Sequence, residues 1–340
     1  MILMKIKIGK VKEDSDLYKY LKKRSLNKTM GIGSKPALYV EKLNGSHNVY
    51  RISDRKSHKK FIIKSFYEEG KSRSNMVHYL NKEYDRIKYF RDLGVGNDRY
   101  KTVKVINKND ENLFLIEEYA PGASLSTFIK KAYIEDKPEI LYEKLTLLAG
   151  YLSSLHKKTG KKRRINRTAV KKEIIKHSYQ AYCEKALDGE ELPHIEHLLD
   201  KWLSYDPVRK AHISLVHGDA TPSNFLFSEN GMLAIDLERS RYRDPVQDLG
   251  TMAGELFHYA TMYTKNPYNA DKFIGHMYWY YAGNFDDQSG MFIDLTKRNP
   301  LYMANSMFRI SRNPYISLKY KRKLGHYAMK CLSSIDRMGK

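Results

Sequence analysis

The sequence predicts an α+β protein in two lobes: a small antiparallel sheet with one helix, then a larger, mainly helical region interrupted by a single strand-turn-strand hairpin. Three observations carry this. Short apolar strand patterns fill the stretch up to Tyr119, helical periodicity dominates from Pro121 to the end, and Ile213 to Glu238 breaks the helical half with strand-turn-strand signals. The expected divisions are an N-terminal extension at 1–34, a smaller, sheet-rich lobe at 35–120 and a larger, mainly helical lobe at 121–340.

In chain order, Leu38 to Lys42 and Val49 to Ser53 read as strands joined by the turn Asn44-Gly45-Ser46-His47-Asn48, a hairpin that would fold over phosphates or be an ordinary turn. Gly45 is its one glycine, so backbone donors and Ser46 would do the cradling. The run KKFIIKSF, Lys59 to Phe66, is a strand with Lys64 near its end. From about Ser72 to Leu93, Met76, Leu80, Ile87 and Phe90 recur at helical spacing with Glu83 among them. Leu113 to Glu118 is the last strand of this lobe and runs into Tyr119-Ala120-Pro121-Gly122.

The helical half opens with a core helix from about Leu141 to Leu155, followed by His156. Ile174 to Leu187 and Ile195 to Leu203 are further helical stretches. The apolar strand Ile213 to Val216 then leads into His217-Gly218-Asp219-Ala220-Thr221-Pro222-Ser223-Asn224. Phe225-Leu226-Phe227 leaves that loop, Ser228 to Gly231 turns, and Met232 to Ile235 delivers Asp236, with Glu238 two residues on. After Asp248, Met252, Leu256 and Tyr259 share a helical stripe.

The chemistry these residues suit is phosphoryl transfer. It needs an aspartate beside the attacking hydroxyl, hard oxygen ligands holding Mg²⁺ against nucleotide phosphates, and a lysine oriented by a glutamate from a helix. Asp219 and Asn224 keep the five-residue interval of a kinase catalytic loop. Asp236 is the second acid, Lys64 the phosphate lysine, and Glu83 its partner, with Glu68 and Glu69 as nearby competitors.

HGDxxxxN followed by IDxE resembles the aminoglycoside phosphotransferase and choline kinase superfamily, relatives of the protein kinases. Asp244-Pro245-Val246-Gln247-Asp248-Leu249 resembles its DPxxDL element, and the LH that closes the Leu141–Leu155 helix also fits. HRD and DFG, usual in eukaryotic protein kinases, are absent, as is a full GxGxxG. The resemblance implies a protein-kinase-like fold, ATP or GTP with Mg²⁺, Asp219 as base, Asn224 and Asp236 as metal ligands, and Asp248 as anchor of the loop. His217 would brace that loop. Glu238 has two readings: completing the metal shell through a water, or pairing with Arg239 or Arg241. The helical stretches flanking the hairpin would shape the acceptor pocket.

Composition bounds the rest. At 340 residues and 41% hydrophobic the chain can bury a substantial core. No segment approaches the roughly 18 apolar residues of a membrane span, so a soluble, cytoplasmic protein is expected. Cys183 and Cys331 lie far apart without metal-ligand spacing and read as reduced thiols. The net charge of +22 bears on the substrate. Nine of the residues from Lys157 to Ile175 are Lys or Arg, against one acid, Glu173. This is either a solvated basic loop or a surface that steers an anionic partner.

A surface this basic argues against polycationic antibiotics as the main acceptor. A small hydroxyl compound, neutral or anionic, is the leading expectation; a macromolecule, RNA or an acidic protein, docked on Lys157–Lys172 is the alternative, and a non-catalytic kinase-like binding protein the third. Tyrosine clusters such as Tyr278-Trp279-Tyr280-Tyr281 read as core or acceptor-pocket packing before nucleic-acid stacking.

Overall fold

The computed structural model describes residues 6–43, 48–229 and 231–338. They form two compact units. The first takes in the chain to Gly94, Thr102–Pro121 and the short return segment Ile235–Glu238; the second holds Val95–Lys101, Gly122–Ala234 and Arg239 onward.

The first unit is built on a six-stranded sheet in the order Gly9–Lys10, Leu38–Lys42, Asn48–Asp54, Lys60–Ser65, Phe114–Glu118, Val105–Asn109. Every pairing is antiparallel. Alternation along these strands puts Leu38, Val40, Ile52, Phe61 and Ile63 into one core, as the period of two requires. That core also takes Leu17, Tyr18, Leu21, Leu26 and Met30 from the short helices Asp16–Leu21 and Arg24–Met30. Much of the stretch expected to be an extension is therefore packed into the sheet's own core.

The helix Arg73–Asp92 starts at Ser72, whose hydroxyl accepts the Asn75 N–H at 3.3 Å. Met76, Leu80, Glu83, Ile87 and Phe90 are its buried residues. The alternating four- and three-residue steps keep all five on one face, so Glu83 is carried inward by the apolar residues around it.

In the second unit, Pro138–Thr159 and Val246–Thr264 are buried on most sides and form the centre. Gln288–Ser311 crosses the latter closely at Gly250, where a Cβ would stand 2.5 Å from Cβ of Tyr302. Phe225–Ser228 pairs with Gly231–Ala234 as the expected hairpin, and Ala123–Ser124 adds to its other edge. A second small sheet runs Arg241–Arg243, His212–Val216, Lys161–Arg164. The middle of the basic run is thus an exposed edge strand and not a loop, consistent with charged side chains guarding a sheet edge. Tyr278 and Tyr281 are buried while Trp279 and Tyr280 are exposed, which divides that cluster between core and surface.

Candidate active site

Lys64 lies near the end of Lys60–Ser65 and is 6% exposed. Its ammonium donates to Glu83 Oε1 at 2.8 Å, lies 2.7 Å from Oε2, and reaches Asp236 Oδ1 at 3.0 Å. Of the two nearby competitors, Glu68 pairs with Lys71, and it is Glu83 that meets Lys64. Asp236 adopts φ +61°, a left-handed conformation that an Asp tolerates better than most residues. Carboxylate oxygens of Glu83, Asp236 and Glu238 lie within 4.8 Å of one another.

Glu117 also belongs to this cluster and was not anticipated. It is buried on the strand beside Lys64, and its Oε1 has no hydrogen-bond partner. Register could have found it: Ile62 opposes Glu117 and Lys64 opposes Leu115, so Glu117 shares the lysine's face of the sheet. Burial raises both Glu83 and Glu117 above the usual carboxylate range despite Lys64. Burial likewise opposes the Lys64 charge, but the field of Glu83, then Asp236 and Glu117, wins and raises the ammonium. One ammonium thus faces more negative charge than it neutralises. An oxygen-only donor set in negative surplus fits a hard divalent cation such as Mg²⁺.

Other expected contacts of this unit resolve unevenly. Gly45 and Ser46 lie outside the described residues. Glu118 gives its backbone N–H to Lys104 O at 3.0 Å, and its carboxylate accepts the Lys104 N–H at 2.7 Å. Its N–H is therefore already engaged within the sheet.

In the second unit, Asp219 sits in the loop after His212–Val216. Asp248 anchors that loop: its carboxylate accepts the N–H of His217 at 2.7 Å and of Gly218 at 3.0 Å. His156 Nε2 lies 3.1 Å from the same carboxylate, and His156 Nδ1 meets the Tyr281 hydroxyl at 3.0 Å. Burial opposes the Asp248 charge, but the His156 contact and the field of His217 overcome it and hold the carboxyl below its ordinary range. His217 Nδ1 takes the Asp219 N–H at 3.4 Å. Gly218 has φ +82°, and a Cβ there would stand 2.2 Å from the Arg239 carbonyl oxygen, so the middle residue of HGD must be glycine in this loop.

Asn224, 7% exposed, gives its amide nitrogen to the Asp219 carbonyl at 2.8 Å, which turns its own oxygen outward from that bond. Thr221 N–H reaches the same carbonyl at 2.7 Å. The Asp219 carboxylate is held by Arg309 at 2.7 Å, with Arg239 at 3.8 Å. Arg309 also binds Glu255 at 2.7 Å. Arg309 and Glu255 were not anticipated either. Glu255 follows Asp248 by seven residues, two helical turns, so both face the loop from Val246–Thr264; that spacing was the available signal. Arg241 pairs with Glu173, so of the two arginines that could have met Glu238 this one is engaged elsewhere.

The pattern of the phosphotransferase enzyme family matches residues 42–272. No curated protein matches the chain in sequence. Among solved structures, the chain is similar to an ethanolamine kinase from Plasmodium vivax, at 18% identity and TM-score 0.53, covering 88% of this chain and 82% of that one. It is similar to a choline kinase from Cryptosporidium parvum at 14% identity and TM-score 0.54, covering 88% of each. A third is the ternary complex of APH(2")-IIa with streptomycin and ATP, at 16% identity and TM-score 0.51, covering 96% of this chain and 97% of that one. These likenesses establish a protein-kinase-like fold.

Proposed function

The chain belongs to the phosphotransferase enzyme family, and we propose that it transfers the γ-phosphoryl group of ATP or GTP to a hydroxyl of a small molecule, with Asp219 as the base. One observation carries the reading. Lys64 and Asp236, chosen from the sequence for separate duties and 172 residues apart, meet at 3.0 Å with Glu83 on the same ammonium. A lysine arranged so is the phosphate-binding group that transfer chemistry needs.

The roles follow from the environments. Lys64, oriented by Glu83, holds a nucleotide phosphate; Ala120 and its neighbours hold the base; Gly45 and Ser46 remain candidates for the phosphate loop. Asp236 and Glu238 are the candidate ligands of Mg²⁺, with Asn224 a further one, and the ion when bound would offset charge on the phosphates. Asp219 accepts the proton of the acceptor hydroxyl, whose oxygen bonds to the γ-phosphorus as the bond to the nucleoside diphosphate breaks. Asp248 keeps the loop's backbone in place, and Arg309 keeps the Asp219 carboxylate in one orientation.

The basic run supports docking of a macromolecule less than its charge suggests. Lys157 donates to the Asn284 carbonyl at 3.0 Å, Arg167 to that of Leu203 at 3.1 Å, and Lys171 pairs with Asp200. No helix among the described residues is long and apolar enough to cross a membrane.

The test uses γ-labelled ATP and GTP with Mg²⁺ and a size-fractionated cell extract, running Asp219→Asn beside the natural chain. Label entering the low-mass fraction only with the natural chain is the expected result. Label in RNA or protein would replace the acceptor class, and equal transfer by Asp219→Asn would remove the base assignment.

A further inference from the structure

A cavity of about 610 Å³ lies wholly within the second unit, with Gly218 of the Asp219 loop in its wall. Three stretches of chain line it with cations. Lys172 and Lys176 come from Arg167–Cys183, one turn apart; Arg309 and Arg312 come from the end of Gln288–Ser311; Arg239 and Arg241 follow Glu238. Glu173 is the one carboxylate among the described lining residues, and it is taken by Arg241 and by Gln247 at 3.0 Å. Arg309 is shared between Asp219 and Glu255. Arg312 donates to the side-chain oxygen of Gln180, a neutral group that cancels no charge.

The surplus shows in its effect on neighbours. Burial lowers the Arg312 guanidinium below its ordinary value, and the fields of Arg309 and Arg239 push it further down. His177, in the same wall, is pushed down to about 4, first by burial and then by Arg312, Arg309 and Lys176. The cation field that adds to the burial of His177 would also oppose an ammonium-bearing acceptor. Choline and ethanolamine, which name two of the similar structures, carry such a charge.

Resting on the reading of Asp219 as the base of a phosphotransferase, we propose that the acceptor is an anionic alcohol, a small hydroxyl compound whose own phosphate or carboxylate seats among Lys172, Lys176, Arg239, Arg241 and Arg312. Guanidinium forks bind either oxyanion in two-point fashion, and the volume is in the range of small-molecule sites. The anion anchors the compound while its hydroxyl meets Asp219. That hydroxyl's proton goes to the Asp219 carboxylate, its oxygen takes the γ-phosphoryl group, and the nucleoside diphosphate leaves.

The experiment has two arms on the full chain. In the first, inorganic phosphate and acetate are titrated calorimetrically into the natural chain and into Lys176→Glu, Arg312→Glu and Lys172→Glu. Lys172 and Lys176 are exposed, so their replacement leaves the core alone. In the second, KM and kcat are compared for sugar phosphates, sugar acids, uncharged sugars and amino alcohols. The expected result is that each charge reversal weakens oxyanion binding about tenfold and raises KM for anionic acceptors by a similar factor, more than it changes kcat.

The relative response to phosphate and to acetate, and to sugar phosphates and sugar acids, identifies which oxyanion the cavity takes. Oxyanion binding that moves less than twofold in all three variants, or transfer that favours uncharged or amino alcohols, would overturn the proposal. Intact oxyanion binding without Asp219-dependent transfer to any alcohol would instead sink the base assignment and leave the anion cavity standing.

Discussion

Around Lys64 a single ammonium faces Glu83, Asp236 and Glu117 with Glu238 nearby, whereas the Asp219 carboxylate shares Arg309 with Glu255 and has Arg239 at 3.8 Å, beside a cavity lined by further cations. The two clusters invert each other's charge arithmetic. On our proposals the acid-rich cluster suits a divalent cation and the cation-lined cavity an oxyanion. A transfer reaction on a nucleotide phosphate has use for both. The contrast teaches that a net charge of +22 says little about where charge matters, because the acid-rich cluster sits in the same basic chain.

The sharpest way to break the comparison is Asp219→Asn. If Asp219 is the proton acceptor, as we propose, the change removes it but not the Lys64 cluster, so kcat should fall by about 10²–10⁴ while nucleotide affinity holds, measured by turnover and by equilibrium binding. Asp236→Asn should do the reverse: nucleotide affinity in the presence of Mg²⁺ falls at least about tenfold, and the difference disappears when EDTA removes the metal.

Lys64→Met should cost about 3–5 kcal/mol of stability at neutral pH in urea unfolding, because it leaves buried carboxylates without a cation. The sign of its pH dependence is fixed. Glu83 and Glu117 have folded values above their unfolded ones, so their contribution is present below the ordinary 4.5 and lost as pH rises; the variant's deficit should grow with pH. A deficit that shrank on raising the pH would show that these acids are not the ones the lysine compensates.

Glu255→Gln tests the arginine side. It loosens Arg309 without touching Asp219, so kcat should drop about tenfold with little change in nucleotide affinity. A drop in nucleotide affinity instead would mean that Arg309 serves another purpose. A separate effect, on stability alone, concerns His258, which burial pushes down to about 4 and whose Nδ1 meets the Tyr320 hydroxyl at 2.9 Å. Its folded value lies below the unfolded 6.5, so the second unit gains from it above that pH and loses the gain as pH falls toward 4. His258→Gln should therefore flatten the acid limb of stability, by up to about 2 kcal/mol at pH 5.

Much of this was legible in order along the chain. The strands from Leu38, Asn48 and Lys60, the helix Arg73–Asp92 and the hairpin Phe225–Ala234 all announce themselves by period and turn residues, because those signals are local. Lys64 and Glu83 were readable because each sits at a defined place in such an element. Glu117, Glu255 and Arg309 were harder. Each acts through a neighbour on a different element, and only cross-strand register or two-turn spacing hinted at the first two. For Arg309 no comparable local signal existed: it is one of 61 basic residues, and what marks it is the partner ninety positions away.

The sequence by itself determined the fold class and picked out the loop from His217 to Asn224, since HGDxxxxN, IDxE and the hydrophobic periods are properties of short segments. It also determined the sign of the chain's charge. Tertiary structure alone decided which charges face one another: that Lys64 meets Glu83 and Asp236, that residues before 34 join the sheet's core, and that six of the cations converge on the cavity beside Asp219. Coulomb energy depends on separation and on exclusion of water, and neither is a function of position along the chain.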